Sequence, residues 1–520
     1  MRTLKTEQNG KPEKNQSLFR AFIFLRFAEH LFLTNANRRA IIAVQNKCSY
    51  QRGGTATERE AAAVCCNSFD KSAVYGELVA KRVNLENGFE WNTARGDVWA
   101  RSQKLLRENA RSGGEDDDEA FGGRIILHCD CNCFFASVEM VTHPEYREVP
   151  MAVCGSQADR HGIVLAKNEL AKKAGVSTGE VIWQAKLKCP SLVISPPHYA
   201  LYEQYSREIT RIYYDYTDLI EPFGIDESWL DVTGSTRLFG GGIKMADDIR
   251  RRVREETGVT VSVGVSFNKT FAKLGSDYKK PDATTVITRS NYKELLYPLP
   301  VGDMMYIGRR TVPKLRRLGI HTIGDMARAD TEEIARQFGK TGADLVKACR
   351  GLEDSPVSPF APAAKSYGNG MTFLRDLCGY EDYFAAAAYL AEKACARMRA
   401  DGARCGVVEV CVRDTALNVI TRRKKLPYPV SSTRAVEEAA RELLEQNWDL
   451  SRPARSVRVC CADISPAPQG EQCKFFYSPA EKQLLRDSRY DAAVDGLRAR
   501  YGKGILMRGS VIKASLTRRA

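Results

Sequence analysis

The run from Ile125 to Cys131 limits the fold more than any other stretch, because it is apolar on both faces of a β-strand period. Such a run is typical of a central strand that is covered on both sides. Val259–Ser266 and Thr284–Ile287 have the same character, and Asn268–Tyr278 between them has a helical pattern. Apolar strands that alternate with helical stretches predict an α/β or α+β domain beginning at Arg124.

Carboxylates interrupt two of the strand-like segments. Asp130 lies within the first apolar run, and the adjacent pair Asp226 and Glu227 lies in Phe223–Thr233. An ionised acid in such a setting needs a cation or a hydrogen-bond partner. Hard oxygen ligands with few histidines nearby favour Mg²⁺ over zinc. The three acids and the carbonyl oxygen of Cys131 are therefore predicted to hold two Mg²⁺ ions about 3.5–4 Å apart, a spacing suited to in-line phosphoryl transfer.

The composition limits the class of protein. A chain of 520 residues with 43% hydrophobic residues is long enough for several domains with ordinary cores. It has neither an apolar run long enough to span a bilayer nor a recognisable signal peptide. The net charge of +14 predicts a polyanionic partner, with nucleic acid first among the candidates.

The 16 cysteines are compatible with disulfides, with metal or with neither. Cys129, Cys131 and Cys133 alternate along the first strand, so they share one face while Asp130 points to the other. Structural zinc sites generally use closely spaced pairs of cysteines, and no such pair of pairs is present. Buried free thiols in a reducing cytoplasm are the preferred interpretation.

The first 122 residues have no consistent period and end in an acidic, glycine-rich stretch. They are predicted to form a poorly ordered extension and linker. The methionine that follows Met1 is Met140, which already lies inside the first motif. The chain is therefore equally compatible with a translated upstream region and with a non-methionine start near residue 122.

The sequence of residues 303–326 predicts two short helices around glycine turns, which is the pattern of a helix-hairpin-helix. Backbone amides near Ile307 and Gly308, at a helix start, would bind one DNA phosphate without reading its sequence. A plain helical hairpin is the alternative.

A proline-spaced segment, residues 355–363, predicts a semi-extended linker to a further α+β domain that runs to about residue 515. Within that domain a basic cluster lies on the second strand of a predicted sheet. Phosphate contact is preferred there over a merely solvated face. The cluster consists of Arg422, Arg423, Lys424 and Lys425.

His128–Glu139 and Ile225–Thr233, in their order and spacing, resemble the Y-family lesion-bypass DNA polymerases, and most closely the bacterial DNA polymerase IV branch. The resemblance covers residues 124 to about 515. It implies a right-handed polymerase of the α+β multidomain class, with a ferredoxin-like palm, small fingers, a helical thumb containing the helix-hairpin-helix and an α+β little finger. The implied boundaries are 123–134 and 199–289 for the palm, 135–198 for the fingers, 290–354 for the thumb, 355–366 for the linker and 367–515 for the little finger.

The resemblance also implies residue roles. Asp130, Asp226 and Glu227 would bind the metals, and Phe135 would be the steric gate that excludes a ribose 2′-hydroxyl. Lys280, before a proline, matches a lysine that contacts the triphosphate.

Three other positions depart from the family pattern. Lys172 stands where an arginine would touch phosphate, and as a point charge it would give up bidentate geometry. Glu169 stands where a tyrosine would, with no assigned role. Asn132 replaces a second aspartate and is not taken as a ligand.

The short fingers imply a loose pocket that tolerates damaged templates, and no segment resembles a proofreading exonuclease. Gln472, Phe475 and Phe476 resemble the short peptides that dock bacterial sliding clamps, although an ordinary loop with two packed rings is the alternative.

The sequence thus predicts a monomeric, cytoplasmic, error-prone translesion DNA polymerase that uses primer-template DNA, dNTPs and Mg²⁺. Two rivals stay open. A palm-domain nucleotidyl cyclase would need no DNA, and a non-catalytic DNA-binding accessory protein would be expected to have lost the three acids.

Overall fold

A computed structural model describes residues 120–514 except 157, 159, 161, 361, 468–478 and 503. The predicted extension lies outside the described residues up to residue 119, and so does the predicted clamp peptide with Gln472, Phe475 and Phe476. Phe121, which was predicted to lie in the extension, is fully buried in the main core. The packed domain therefore includes residues before the predicted boundary at 122.

Strands and α-helices follow one another in an irregular alternation. The strands are β1 (Ile126–Cys131), β2 (Met151–Cys154), β3 (Val164–Lys167), β4 (Val193–Ser195), β5 (Ile220–Pro222), β6 (Glu227–Asp231), β7 (Val261–Ser266), β8 (Thr284–Ile287), β9 (Ser366–Leu377), β10 (Ala403–Asp414), β11 (Val419–Val430) and β12 (Ala454–Pro466). The helices up to the linker are α1 (Phe134–Thr142), α2 (Glu169–Lys173), α3 (Ile182–Lys188), α4 (Tyr199–Tyr214), α5 (Thr236–Phe239), α6 (Gly242–Thr257), α7 (Lys269–Tyr278), α8 (Tyr292–Leu296), α9 (Val312–Arg317), α10 (Ile323–Arg328) and α11 (Thr331–Cys349). Those after the linker are α12 (Tyr380–Ala400), α13 (Thr433–Asn447), α14 (Pro479–Tyr501) and α15 (Gly509–Lys513).

The palm sheet has the strand order β5-β6-β1-β7-β8, so β1 is central as predicted. It pairs antiparallel with β6 on one side and with β7 on the other. Cys129 and Cys131 point into the main core, on the face opposite Asp130. Cys133 lies beyond the strand, at the N-cap of α1 with a positive φ of 49°, so the predicted shared face holds only for the first two cysteines.

Helix α7 covers the other face of the palm sheet at very short range. Asn268 caps its first turn by accepting a hydrogen bond from the Phe271 amide at 2.8 Å. Gly264 on β7 lies so close to the helix that a Cβ there would stand 1.9 Å from the Ala272 carbonyl oxygen and 2.5 Å from the Ser276 nitrogen. The absence of a side chain at Gly264 therefore determines where the side chains of α7 reach.

Gly264→Ala is expected to lower the free energy of unfolding of this domain by about 3 kcal/mol, because the added methyl group meets backbone atoms that cannot rotate away. Urea unfolding followed by tryptophan fluorescence measures this. Gly234→Ala is the matched control in the palm, since nothing lies within 4 Å of the added Cβ. An alanine at position 264 that unfolds at the wild-type urea concentration would contradict the close packing.

The fingers contain a small sheet of order β3-β2-β4, flanked by α2 and α3. Its core is a separate small cluster that includes Ala152, Val164 and Ile182. The side chain of Asn168 supports this layer by accepting hydrogen bonds from the amides of Met151 at 3.1 Å and Ala171 at 2.9 Å.

The two short helices predicted within 303–326 are present as α9 and α10, and Gly319 makes the turn between them with a φ of +76°. A capping box between Thr322 and Asp325 fixes the start of α10. The predicted helix start at Ile307 and Gly308 is wrong, because Tyr306 has a φ of +69° and the helix begins only at Val312. The Ile307 amide instead donates to the Met304 carbonyl at 3.1 Å.

The first residues of the predicted linker are held against the palm by hydrogen bonds and apolar packing. Arg124 donates to the carbonyl of Ser355 at 2.6 Å, and the amide of Ser358 donates to Glu221 at 2.8 Å. Val357 is buried against a cluster that includes Trp229. The free part of the linker is correspondingly shorter than predicted.

The little finger is a four-stranded antiparallel sheet of order β11-β10-β12-β9. Val408, Val410 and Val412 point inward as predicted, toward α12 and α13. The basic cluster lies on the edge strand β11. Along the described residues, none of the helices is long and apolar enough to cross a membrane.

Candidate active site

The register of the palm sheet brings two of the predicted acids together. Asp130 on β1 is the direct cross-strand partner of Glu227 on β6, so their side chains stand on the same face. Asp226 precedes Glu227 in the β5–β6 turn, and its carbonyl accepts a hydrogen bond from the Cys131 amide at 3.0 Å. The structure therefore places all three acids and Cys131 at one end of the central strand.

The three carboxylates are partly buried and repel one another. Burial, together with the charges of Asp130 and Glu227, raises the pKa of Asp226 to about 6. Burial also opposes the charge of Glu227, but contacts from His128 and Lys273 outweigh it and lower the pKa of that carboxyl. A site that gathers carboxylates at such an electrostatic penalty is typical of catalytic or metal-binding centres.

Two lysines of the α7 region balance part of this charge. Lys273 Nζ lies 2.8 Å from Asp130 Oδ2 and 2.6 Å from Glu227 Oε2. Lys280 Nζ lies 2.8 Å from Asp130 Oδ1 and 2.8 Å from Asp277 Oδ1. Lys280 was predicted from the sequence, whereas Lys273 was not. The spacing of Lys273, Asp277 and Lys280, four and three residues apart, would have placed them on one helix face.

His128 lies behind Glu227 and was also missed. Its Nδ1 is 2.8 Å from the Ser276 hydroxyl, which in turn donates to the Lys273 carbonyl. Burial lowers the pKa of His128 and favours the neutral ring. Its buried Nε2 lies 3.4 Å from Glu227 Oε2 and has no hydrogen-bond partner of normal geometry among the described residues.

The donor set fits divalent metal ions. Atoms of His128, Asp130 and Glu227 lie within 4.8 Å of one another, and Asp226 adds a third carboxylate beside them. Carboxylate and carbonyl oxygens are the ligands of hard cations. Asn132 contributes nothing there, since its amide side chain donates to Thr260 at 3.1 Å and accepts from Ser262 at 2.8 Å.

Phe135 forms one wall beside the acids. Its ring stacks on Tyr202 at a centroid distance of 4.3 Å and an interplanar angle of 13°. Glu139, which is fully buried one turn later on α1, accepts hydrogen bonds from the Tyr202 hydroxyl and from His198 Nδ1 at 2.8 Å. Tyr202 on α4 therefore supports the ring of Phe135, and Glu139 on α1 anchors Tyr202. Neither residue was predicted as a support.

A cavity of about 270 Å³ extends from the acids and Phe135 to the strand β3 of the fingers. Asp130, Asp226 and Phe135 line one side, and Lys167 and Thr178 line the side formed by the fingers. The wall thus carries Lys167, which was not predicted and which donates to Thr178 at 3.1 Å. The cavity has carboxylates at one end and a cationic side chain at the other.

The predicted phosphate ligand Lys172 lies on α2 and forms an ion pair with Glu169 at 3.3 Å. Glu169, which had no assigned role, also accepts a contact from the Cys133 thiol at 3.6 Å. It therefore links α2 to the start of α1.

The four basic residues of β11 do not share one face, because successive side chains of a strand alternate. Arg422 and Lys424 point to the helix-covered side, where they contact Asn447 at 3.2 Å and Glu442, respectively. Arg423 and Lys425 point to the open face of the sheet, and Arg423 pairs there with Glu409 at 2.6 Å. The predicted basic sheet face is thus corrected to two of the four residues.

Comparisons with known proteins agree with this arrangement. A model of the impB/mucB/samB family matches residues 129–277, and a model of the C-terminal domain of that family matches residues 364–473. A model described as the thumb domain of DNA polymerase-iota matches residues 305–353.

Relatives named DNA polymerase IV extend over most of the chain. The protein from Acetivibrio thermocellus is 43% identical over 392 residues, which cover 75% of this chain and 98% of that protein. The one from Moorella thermoacetica is 38% identical over 74% of this chain and 95% of its own length. A solved Y-family DNA polymerase chimera of Dbh and Dpo4 is similar with a TM-score of 0.58 and 28% identity, covering 65% of this chain and 99% of the chimera. The chain therefore belongs to the Y family of DNA-directed DNA polymerases, together with proteins named DNA polymerase IV.

Proposed function

We propose that this chain is a template-directed, error-prone translesion DNA polymerase that adds deoxynucleoside monophosphates from dNTPs to a primer 3′ end without proofreading. The observation that carries the proposal is the pairing of Asp130 with Glu227 across β1 and β6, with Asp226 in the adjoining turn. Asp130 and Asp226 line the cavity that Phe135 borders. Family membership and the relatives named DNA polymerase IV support the substrate class.

The three acids and the Cys131 carbonyl would hold two Mg²⁺ ions. Such ions supply neutralising charge to the attacking and leaving oxygens of a phosphoryl transfer. The primer 3′ oxygen bonds to the α-phosphorus, and the bond from that phosphorus to the pyrophosphate oxygen breaks. The protein contributes mainly position and charge, because strand register holds Asp130 and Glu227 side by side.

The nucleotide would lie between the acids and the fingers. Phe135 would stand against the 2′ position of the sugar, held there by the stacked Tyr202. Lys280 would move from Asp130 to the triphosphate, for which its place at the end of α7 is suited. Lys172 is proposed as a weaker phosphate contact, since it is paired with Glu169.

Primer-template DNA would lie against the thumb and the little finger. Arg423 and Lys425, on the open sheet face, are proposed to contact phosphates directly. Arg422 and Lys424 would add charge from the sheet edge. At the thumb the exposed amide contact is proposed for Gly308 rather than Ile307, whose amide is used internally. The clamp peptide Gln472, Phe475 and Phe476, a monomeric state and a cytoplasmic location complete the proposal.

Primer extension tests the proposal directly. The full chain with Mg²⁺ and dNTPs is expected to extend a primer on an undamaged template and past an abasic site, and Glu227→Ala is expected to lose both activities. Loss is expected because Glu227 is the cross-strand partner of Asp130. Absence of extension by the wild-type chain, with DNA still bound, would instead favour the accessory-protein alternative.

A further inference from the structure

Lys273 contacts the acids in a way that the proposed reaction does not use. Its ammonium group bonds Asp130 Oδ2 and Glu227 Oε2 at once, at 2.8 and 2.6 Å. Lys280 bonds the other Asp130 oxygen at 2.8 Å. Both oxygens of Asp130 are therefore engaged by lysines, and a metal ion can bind this carboxylate only by displacing or sharing an ammonium group.

The two lysines differ in how firmly they are held. Lys280 follows the last turn of α7 and is 29% exposed, so its long side chain can swing away. Lys273 is 17% exposed and lies in the middle of α7, which Gly264 brings into direct contact with β7. Asp277, one turn further along the helix, adds a third carboxylate to Lys273 at 3.4 Å. Lys273 is thus a fixed cation within the acid cluster.

We propose that Lys273 is a positioning residue that acts as a built-in counter-ion: it holds Asp130 and Glu227 side by side and competes with divalent metal ions for their oxygens. The inference rests on the proposed metal site and goes beyond it, because it assigns the strength of metal binding to a residue that ligates no metal. A fixed positive charge within about 4 Å of a metal position weakens binding strongly at the partial burial of this site. The protein alone would consequently bind divalent ions weakly despite its three acids.

The test is a titration of the full chain with Mn²⁺, in the absence of DNA and nucleotide and at constant ionic strength, with free Mn²⁺ followed by electron paramagnetic resonance. Lys273→Met, which keeps the length of the side chain and removes its charge, is expected to bind Mn²⁺ about tenfold more tightly than the wild type. Lys273→Arg is expected to bind as weakly as the wild type. Lys279→Met is the matched control, because Lys279 is an exposed lysine next to Lys280, and it should change the affinity by less than about twofold.

An unchanged or lower Mn²⁺ affinity in Lys273→Met would overturn the proposal. Because removing a cation from among three carboxylates can prevent folding, circular dichroism is recorded for each variant. Lys273→Gln, which retains hydrogen-bond donors, replaces the methionine variant if that protein does not fold, and the same tighter binding is expected of it.

Primer extension by the wild-type chain separates this inference from the proposed function. If the wild type extends primers and Lys273→Met binds Mn²⁺ as the wild type does, only the counter-ion inference fails. If the wild type neither extends primers nor binds Mn²⁺, the proposed metal site itself fails, and the counter-ion inference fails with it.

Discussion

Asp226→Ala is expected to reduce primer extension by about a thousandfold or more, because the site loses the carboxylate that depends most on a bound metal. Among the described residues no lysine or arginine forms an ion pair with Asp226, whereas Lys273 and Lys280 pair with its neighbours. Burial and the adjacent acids raise the pKa of Asp226 to about 6, so its charged form is disfavoured unless a cation is bound. Single-turnover extension at saturating Mg²⁺ measures the loss.

Three further measurements test whether the loss of extension comes from the missing carboxylate rather than from weaker DNA binding or lower stability. Primer-template affinity should stay within about twofold of the wild-type value, since DNA binding depends on phosphate contacts elsewhere. The melting temperature should not fall, because alanine removes a repelling carboxylate. Asp218→Ala is the matched control, an exposed acid of the palm that stands outside the predicted ligand set. Near-wild-type extension by Asp226→Ala would rule out the metal assignment.

The acids stand out in the sequence because each is a local anomaly, a charge that ends or interrupts an apolar run. The register that pairs Asp130 with Glu227 could not be predicted, because it depends on how β6 folds back along β1. Lys273 was missed for a similar reason. Its reach toward the acids follows from the contact of α7 with Gly264, which is a property of tertiary packing. The spacing within the helix places Lys273 beside Asp277 but does not show which residues that face meets.

In the fold, too, features set by local sequence were predicted and features set by tertiary contacts were not. Strands with continuous apolar runs, such as β1 and β7, were predicted almost to the residue. Strand β9 was not predicted, since its sequence includes Asn369 between two glycines and has little strand propensity of its own. It forms because it pairs along its length with β12. The predicted helix start near Ile307 was wrong because Tyr306 has a positive φ, which no local sequence pattern reveals.

Phe135→Ala is expected to weaken discrimination against ribonucleotides by on the order of a hundredfold. The ring borders the cavity beside Asp130, and its stacking on Tyr202 leaves it little freedom to move. Removing it opens space next to the sugar without touching the acids, so incorporation of dNTPs should persist. The measurement is kcat/KM for a dNTP and for the matching ribonucleotide on the same primer-template.

Phe135→Tyr is the matched variant, because it keeps the ring and its stacking partner. It should discriminate as the wild type does, so that the effect of alanine is assigned to lost bulk rather than to any change at this position. The support from α4 also predicts how the new ring in Phe135→Tyr is oriented. Since Tyr202 is anchored by the buried Glu139, the tyrosine ring at position 135 should stay in the same plane. Unchanged sugar selectivity in Phe135→Ala would show that another group lies against the 2′ position, and Tyr199, whose ring meets Phe135 edge-on at 6.0 Å, would be the next residue to substitute.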